Sequence, residues 1–452
     1  MTIAAELAQI VTRTPFDRLP PLALDHAAML IASTLASAAS GYDIASSRII
    51  RELASEQAGT PESSIWFDSG PKIPAVNACR VNAVMSDAAA SDDSDLRTIV
   101  HLGTPLTATT LALAERTGAD GKQVLAAIVL GYETAGRIGA AVMPAYRNRG
   151  FHGCIVAIFG AAVASAILLR LDQRQMAQAI ALAAVSIGGL SAAADTSLAR
   201  EYFAGNAAML GMNAALAAHK GYLAEDGILE ISNGYFDVYG GEDVGSVTRD
   251  WGSEWDIVTD MAIKLVPGAH PSHALGEAAA NAAREGNVSA DEVETITMAQ
   301  PVNARLRTGP MKPPSHPRDL VDAAHTPAYF VAAGVADKNF SWAHATTEKI
   351  LDPVIHQLID KIKIGEPPQN DERFRHGATV TIKTRDGRSF TSTVHAPRGS
   401  GARGIDWADV DDKYRILVAA TGLSAQKIDD GLSFIHELRS ARNISNLTSL
   451  LR

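Results

Sequence analysis

The chain has 452 residues, a formal net charge of -10 and a sequence pI of about 5.7, with 47% hydrophobic and only 6% aromatic residues. That length supports a large core and two domains, and an apolar fraction made mostly of alanine and leucine suits packed helices more than a β-sandwich. The acidic balance, with no basic stripe interleaved with aromatics, argues against nucleic acid, and two cysteines, Cys79 and Cys154, are too few for a disulfide framework or a thiolate metal site.

Helical patterns dominate the first 260 or so residues. Ala23–Ser37 follows the Pro20-Pro21 breaker, Pro74–Ala90 follows the Gly70-Pro71 turn, and Gln123–Ile138, Gln175–Ala194 and Ala207–Leu223 continue the series. Ile155–Leu169 is apolar but too short to span a bilayer, so it reads as a buried core helix. Beyond residue 285 the texture changes: Val293–Gln300 reads as a strand, and Thr379–Thr384 and Ser389–His395 flank Asp386-Gly387, a two-residue hairpin signal. Pro327–Ala336 and Pro353–Lys361 read as helices between them, and Ser424–Arg439 returns to helix. The predicted fold class is mainly α with an α+β second domain: residues 1–261 and 398–452 form a large helical domain, and 262–397 a smaller α+β domain. The early Glu6 and the lack of a basic n-region predict no signal peptide, and no membrane span is expected, which places the protein in the cytoplasm.

Basic residues gather ahead of helices. Lys264-Leu-Val-Pro267-Gly-Ala-His270-Pro271-Ser-His273 runs into an alanine-rich stretch, with Pro271 suited to the first helical position. Arg147-Asn-Arg149-Gly-Phe-His152 precedes Ile155–Leu169, Arg200 precedes Ala207–Ala218, and His101-Leu-Gly103-Thr104-Pro105 precedes Leu106–Glu115. Helix N-termini attract anions, and histidine or a perturbed lysine moves protons near neutral pH. Four such starts in an acidic chain predict a cationic pocket for a small polycarboxylate. Tyr146 and Arg149, close ahead of His152, are candidate substrate contacts; Asp92, Asp93 and Asp95 read either as a solvated acidic turn or as part of the site. Tyr239-Gly240-Gly241-Glu242 lacks the spacing of a phosphate loop, His325, four residues before Tyr329, reads as a surface residue, and His316 and His344 have no partners at metal-ligand spacing, so neither nucleotide nor metal is expected.

The ordered segments Val81-Asn82, the Asp92/Asp93/Asp95 cluster, His101-Leu-Gly103, Phe151-His152-Gly153, Gly205-Asn206, Lys264 with Pro267 and His273, and Thr326-Pro-Ala-Tyr329 cover most of the chain. In that order they resemble the MmgE/PrpD family of 2-methylcitrate dehydratases, cis-aconitate decarboxylases and an iminodisuccinate epimerase. The resemblance implies a helical domain built from both chain ends, an α+β lid, an active site between them, a homodimer, and no metal or organic cofactor. It also implies catalytic roles for His101, His152, Lys264 and Tyr329, with His270 and His273 beside the lysine. Two departures stand out. The leading aspartate of the dehydratases' Asp-aromatic-Asp-Asp run falls on Ala90, and Arg200 stands where many relatives have lysine. Arginine clamps a carboxylate at two points but does not exchange protons, so Arg200 and Asp93 are expected to bind substrate. The reading that follows is an epimerase acting next to a carboxylate of an iminodisuccinate-like substrate, with a hydroxy-tricarboxylate dehydratase, a decarboxylase, or a carboxylate-binding protein without chemistry as alternatives.

Overall fold

The computed structural model describes residues 1–57, 59–196, 199–301, 313–367 and 376–452, the side chains of 194–196 aside. These residues divide into two compact units, Met1–Ile263 with Asp406–Arg452, and Lys264–Ile405. Helix dominates the first; the second mixes helix with a four-stranded sheet, as the alanine-rich first half and β-branched second half require.

In the first unit the longer helices are Pro21–Gly41, Ala75–Ala88, Gly103–Thr117, Gly121–Val142, Cys154–Leu168, Gln173–Ala184 and Ala199–His219. Their starts follow ordinary capping chemistry: Pro21 opens the first, and Asp120 with Gln123 and Asp172 with Gln175 form reciprocal capping boxes. Two helices, Pro21–Gly41 and Gly121–Val142, are long and apolar enough to cross a membrane by length and composition, and each buries 89% of its apolar window inside the protein. Cys154–Leu168 is buried on nearly every face, as its uniformly small and apolar sequence predicts. A two-stranded ribbon completes the unit: β1 (Asp93–Asp95) pairs antiparallel with β2 (Met261–Ile263).

Three boundaries differ from expectation. Gln175–Ala194 is two helices, Gln173–Ala184 and Ser191–Thr196, because Gly188-Gly189 interrupts the helix and the Gly189 carbonyl accepts the His152 N–H at 3.0 Å. The helix expected from Ala207 begins at Ala199, which puts Arg200 inside its first turn. The helix expected at Pro271 is a 3-10 turn, His270–Ser272, followed by an α-helix from His273 to Glu285.

In the second unit β3 (Val293–Ala299) lies between β4 (Ile362–Ile364), which is parallel to it, and β5 (Ala378–Thr384), which is antiparallel; β6 (Ser389–Val394) closes the order β4-β3-β5-β6. β5 and β6 are joined through Asp386-Gly387, with Gly387 at φ 88° as the turn demands. One face of the sheet, with Ile296, Met298, Val380 and Ile382, shares a core with Ala278 and Ala282 of the helix His273–Glu285, on which the helix Pro327–Asp337 packs in turn.

The C-terminal segment docks onto the first unit where Gly121 starts its helix. The Gly121 N–H donates to the Ala441 carbonyl at 2.8 Å, and a Cβ built at Gly121 would lie 1.7 Å from the Leu438 carbonyl oxygen. Gly121→Ala is therefore expected to force two backbones apart and lower unfolding stability by about 2 kcal/mol, read as a reduced urea midpoint. An unchanged midpoint would contradict this docking.

Candidate active site

Between the helices Ala75–Ala88 and Gly103–Thr117 the chain turns through Ala90, at φ 51°, into β1 and out through His101. Asp92, Asp93 and Asp95 are at most 1% exposed, so the acidic cluster is not a solvated turn. Buried carboxylates require donors, and these have them. Asp93 Oδ2 accepts the Gly103 N–H at 3.0 Å, Asp92 Oδ2 accepts the Thr104 hydroxyl at 3.3 Å, and Asp95 Oδ1 accepts the Thr98 N–H and hydroxyl at 2.8 and 2.7 Å. Burial, reinforced by the Asp260 charge, pushes the Asp95 carboxyl up to about 6.

His101 is tied to this cluster. Its Nδ1 lies 2.7 Å from both Asp92 Oδ2 and the Asp93 carbonyl oxygen. Both are acceptors, so the assigned tautomer carries its proton on Nδ1 and leaves Nε2 as the basic nitrogen. His152 is arranged the other way: its Nδ1 accepts the Cys154 N–H at 3.2 Å, at the start of the helix Cys154–Leu168. A neutral His152 therefore bears its proton on Nε2. Burial, helped by the nearby His101, Arg147 and Arg200, lowers its pKa to about 3. Near neutral pH His152 is a hydrogen-bond donor and not a proton carrier, which revises the expectation that both histidines shuttle protons.

The two histidines line one narrow cleft with Asp87, Pro105, Gly153, Cys154, Ala204 and neighbouring apolar residues. Burial pushes the thiols of both Cys154 and Cys79 up to about 12, so both pack and neither is a ready nucleophile. Asp87 escaped the sequence reading because it precedes the acidic run and sits on an ordinary helical stretch. Its one detectable signal was its position after Val81-Asn82, on the same turn-bounded approach to Asp92.

Several expected contacts are reassigned. Arg200 is engaged within the protein: its Nε donates to Asp87 Oδ2 at 3.2 Å and its Nη2 to the Asp87 carbonyl at 2.5 Å. Asp93 is a helix cap rather than a substrate ligand, and a Cβ at Gly103 would fall 2.4 Å from its Oδ1. That helix start is already occupied by an anion. Tyr146 is fully buried, donates its hydroxyl to the Thr98 carbonyl at 3.1 Å, and is pushed up to about 12 by burial, so it packs. Arg149 donates to the Asp237 carbonyl at 2.9 Å and to the Val238 carbonyl, closing the short helix Tyr235–Tyr239 instead of a substrate site. The predicted cationic pocket is thus not what this unit supplies: Asp87 and Asp92 offset Arg200 and His101.

In the second unit Lys264, His270 and His273 are all buried, and the His270 and His273 rings lie 4.7 Å apart. His273 Nε2 is 3.2 Å from the Gly268 carbonyl. Tyr329 was expected as a catalytic donor, but its hydroxyl donates to the His344 carbonyl at 2.8 Å within the core, and burial raises it well above the usual phenol range. His325 Nδ1 meets the Val321 carbonyl at 2.9 Å, a local helix contact.

Ligand atoms of Asp87, Asp92 and His101 fall within 4.8 Å of one another, the one such group among the described residues. Arg200 on Asp87, Thr104 on Asp92 and the protonated Nδ1 of His101 already use this donor set, and a divalent cation would have to displace them.

The His152 ring gives a direct check. Its folded pKa lies below the ordinary 6.5, so the unfolded chain binds more protons between about 3 and 6.5 and stability falls as pH falls through that window. Side-chain NMR is expected to show no His152 titration between about pH 5 and 8; a midpoint inside that range would contradict the assignment.

Comparison with known proteins matches the MmgE/PrpD N-terminal domain over residues 5–246 and the MmgE/PrpD C-terminal domain over residues 267–430. The chain is similar to the cis-aconitate decarboxylase of Mus musculus, 25% identical over 86% of this chain and 81% of the mouse protein, and to that of Homo sapiens, 24% identical over 86% and 82%. The cis-aconitate decarboxylase of Aspergillus terreus is 24% identical over 88% of this chain and 85% of its own. These relatives are lyase-type enzymes by name, so the comparison supports an enzyme of dehydratase or decarboxylase type and does not single out epimerisation. With both family domains matched in order over most of its length, the chain belongs to the MmgE/PrpD family.

Proposed function

We propose that the protein takes and returns a proton at a carbon next to a carboxylate of a small polycarboxylate, most simply as an epimerase of an iminodisuccinate-like substrate. The observation that carries this reading is the pair of complementary imidazoles on one cleft. Asp92 holds Nδ1–H of His101, so Nε2 is the base that removes the α-proton. Negative charge then develops on the substrate carboxylate oxygens. The Nε2–H of neutral His152, at the N-terminus of the helix Cys154–Leu168, supports that charge without giving up its proton, so inversion requires the planar intermediate to turn its other face to protonated His101, which returns the proton.

Dehydration asks for more. A departing hydroxyl needs an acid as well as the base that takes the carbon-bound proton; His152, with its pKa lowered to about 3, is not that acid, so His101 would have to serve in both roles in turn. Decarboxylation is the second reading, favoured by the names of the relatives. There the bond to the leaving carboxylate breaks, CO2 departs, and the electron pair left on carbon takes its proton from protonated His101. Each reaction passes through a carbanion of its own substrate, which the cleft has to stabilise.

Incubation with iminodisuccinate in deuterated water separates them. The epimerase reading expects deuterium at the α-carbon without net conversion, and a His101→Gln variant with unchanged Tm is expected to exchange at least ~100-fold more slowly. CO2 release exceeding exchange, with cis-aconitate as substrate, would move the protein to the decarboxylase reading. An undiminished exchange rate in the variant would remove His101 from the chemistry.

A further inference from the structure

We infer that Lys413 is a positioning residue for His101: its buried ammonium grips the Ser91 carbonyl and so holds the strained turn at Ala90 that carries Asp92 onto the histidine ring. This rests on the reading of His101 as the base and adds what keeps that base in place.

Lys413 lies on the helix Trp407–Ala419, in the C-terminal segment of the first unit, and is 1% exposed. An ammonium is strongly hydrated, so a lysine taken out of water lowers stability unless its protons are received inside. Lys413 Nζ donates to the Ser91 carbonyl at 2.5 Å and to the hydroxyl of Ser33, on the helix Pro21–Gly41, at 2.8 Å. Packing alone would be served by a methionine of similar length. The charge serves the carbonyl.

That carbonyl stands where a grip matters. Ala90, immediately before Ser91, sits at φ 51°, a conformation that a residue with a Cβ adopts when its surroundings impose it. Immediately after Ser91 comes Asp92, whose Oδ2 lies 2.7 Å from His101 Nδ1. Ser37 Oγ also reaches the Ser91 carbonyl, at 2.8 Å, but its single proton is shared with the Ser33 carbonyl at 2.9 Å. Lys413 is therefore the charged and stronger of the two donors. Without it the turn at Ala90 loses a contact that offsets its backbone cost, and Asp92 no longer meets Nδ1 at a fixed distance. The Asp93 carbonyl, the other acceptor at Nδ1, is fixed separately by the pairing of β1 with β2. The preference for Nδ1–H is thus weakened rather than reversed, and Nε2 is the basic nitrogen for less of the time.

The tautomer ratio of His101, read by nitrogen-15 NMR on the full chain without ligand, tests the clamp apart from any reaction. The wild type is expected to hold Nδ1–H in at least about tenfold excess over Nε2–H, and a folded Lys413→Met to lose at least about fivefold of that excess. In α-hydrogen exchange with iminodisuccinate the same variant is expected to lose about tenfold in kcat with KM within about twofold, because the base and not the binding surface has shifted. Adding Ala90→Gly, which removes the strain that the clamp opposes, is expected to restore at least about threefold of both losses. Ser37→Ala, a milder loss at the same carbonyl, is expected to lower the tautomer ratio by about twofold and keeps the test decisive where Lys413→Met does not fold. A wild-type ratio in folded Lys413→Met, or in Ser37→Ala where that is the variant that folds, would overturn the proposal, and so would a double variant no better than Lys413→Met. Absence of exchange by the wild type would overturn the reading of His101 as the base and leave the tautomer ratios to decide the clamp.

Discussion

Burying carboxylates is costly unless each finds a donor or a counter-charge, and the stretch from Asp87 to His101 is built around that requirement. On one side Asp93 takes up the N–H that opens the helix Gly103–Thr117, and Asp92 takes up the His101 ring. On the other, Arg97 pairs with Asp256, the Asp256 N–H donates to Glu133 at 2.8 Å, and Glu133 accepts Arg137 Nε at 2.5 Å. β1 and β2 join the two networks through the register Asp93↔Ile263 and Asp95↔Met261. The result is a rigid frame in which the His101 tautomer is a consequence of where the acids lie. The placing of the His101 ring is thus a by-product of satisfying buried charge.

The frame also accounts for an arrangement that basic residues alone would not. Positive side chains ahead of four helices imply a cationic pocket, but in the first unit two of those charges are consumed internally: Arg200 by Asp87 and Arg149 by carbonyl oxygens of the helix Tyr235–Tyr239. The cleft is lined by the two imidazoles together with Asp87, which Arg200 holds.

Much of the fold was legible because it follows from local chemistry. The hairpin at Asp386-Gly387, the proline-led helix Pro327–Asp337 and the buried helix after His152 all announce themselves by turn residues, by proline at the first position and by uniform apolarity. Positions set by a distant partner were not legible. Arg200 lies in a helix whose start depends on alanines that fit either side of the boundary, and its contact with Asp87 spans 113 residues. Tyr146 stands out by its place ahead of His152 and Tyr329 by the family resemblance, and only the structure shows that their hydroxyls donate to the Thr98 and His344 carbonyls. The tautomers of His101 and His152 are set by contacts to Asp92 and to the Cys154 N–H, and charge counting along the chain gives no hint of them.

The account depends on His101 and His152 meeting the same ligand. Nitrogen-15 NMR of the histidine side chains during a titration with iminodisuccinate addresses that claim most directly. The account predicts that the His101 and His152 resonances shift together along one saturation curve, with His152 remaining the Nε2–H tautomer throughout. Resonances of both rings unmoved at saturating ligand would contradict it.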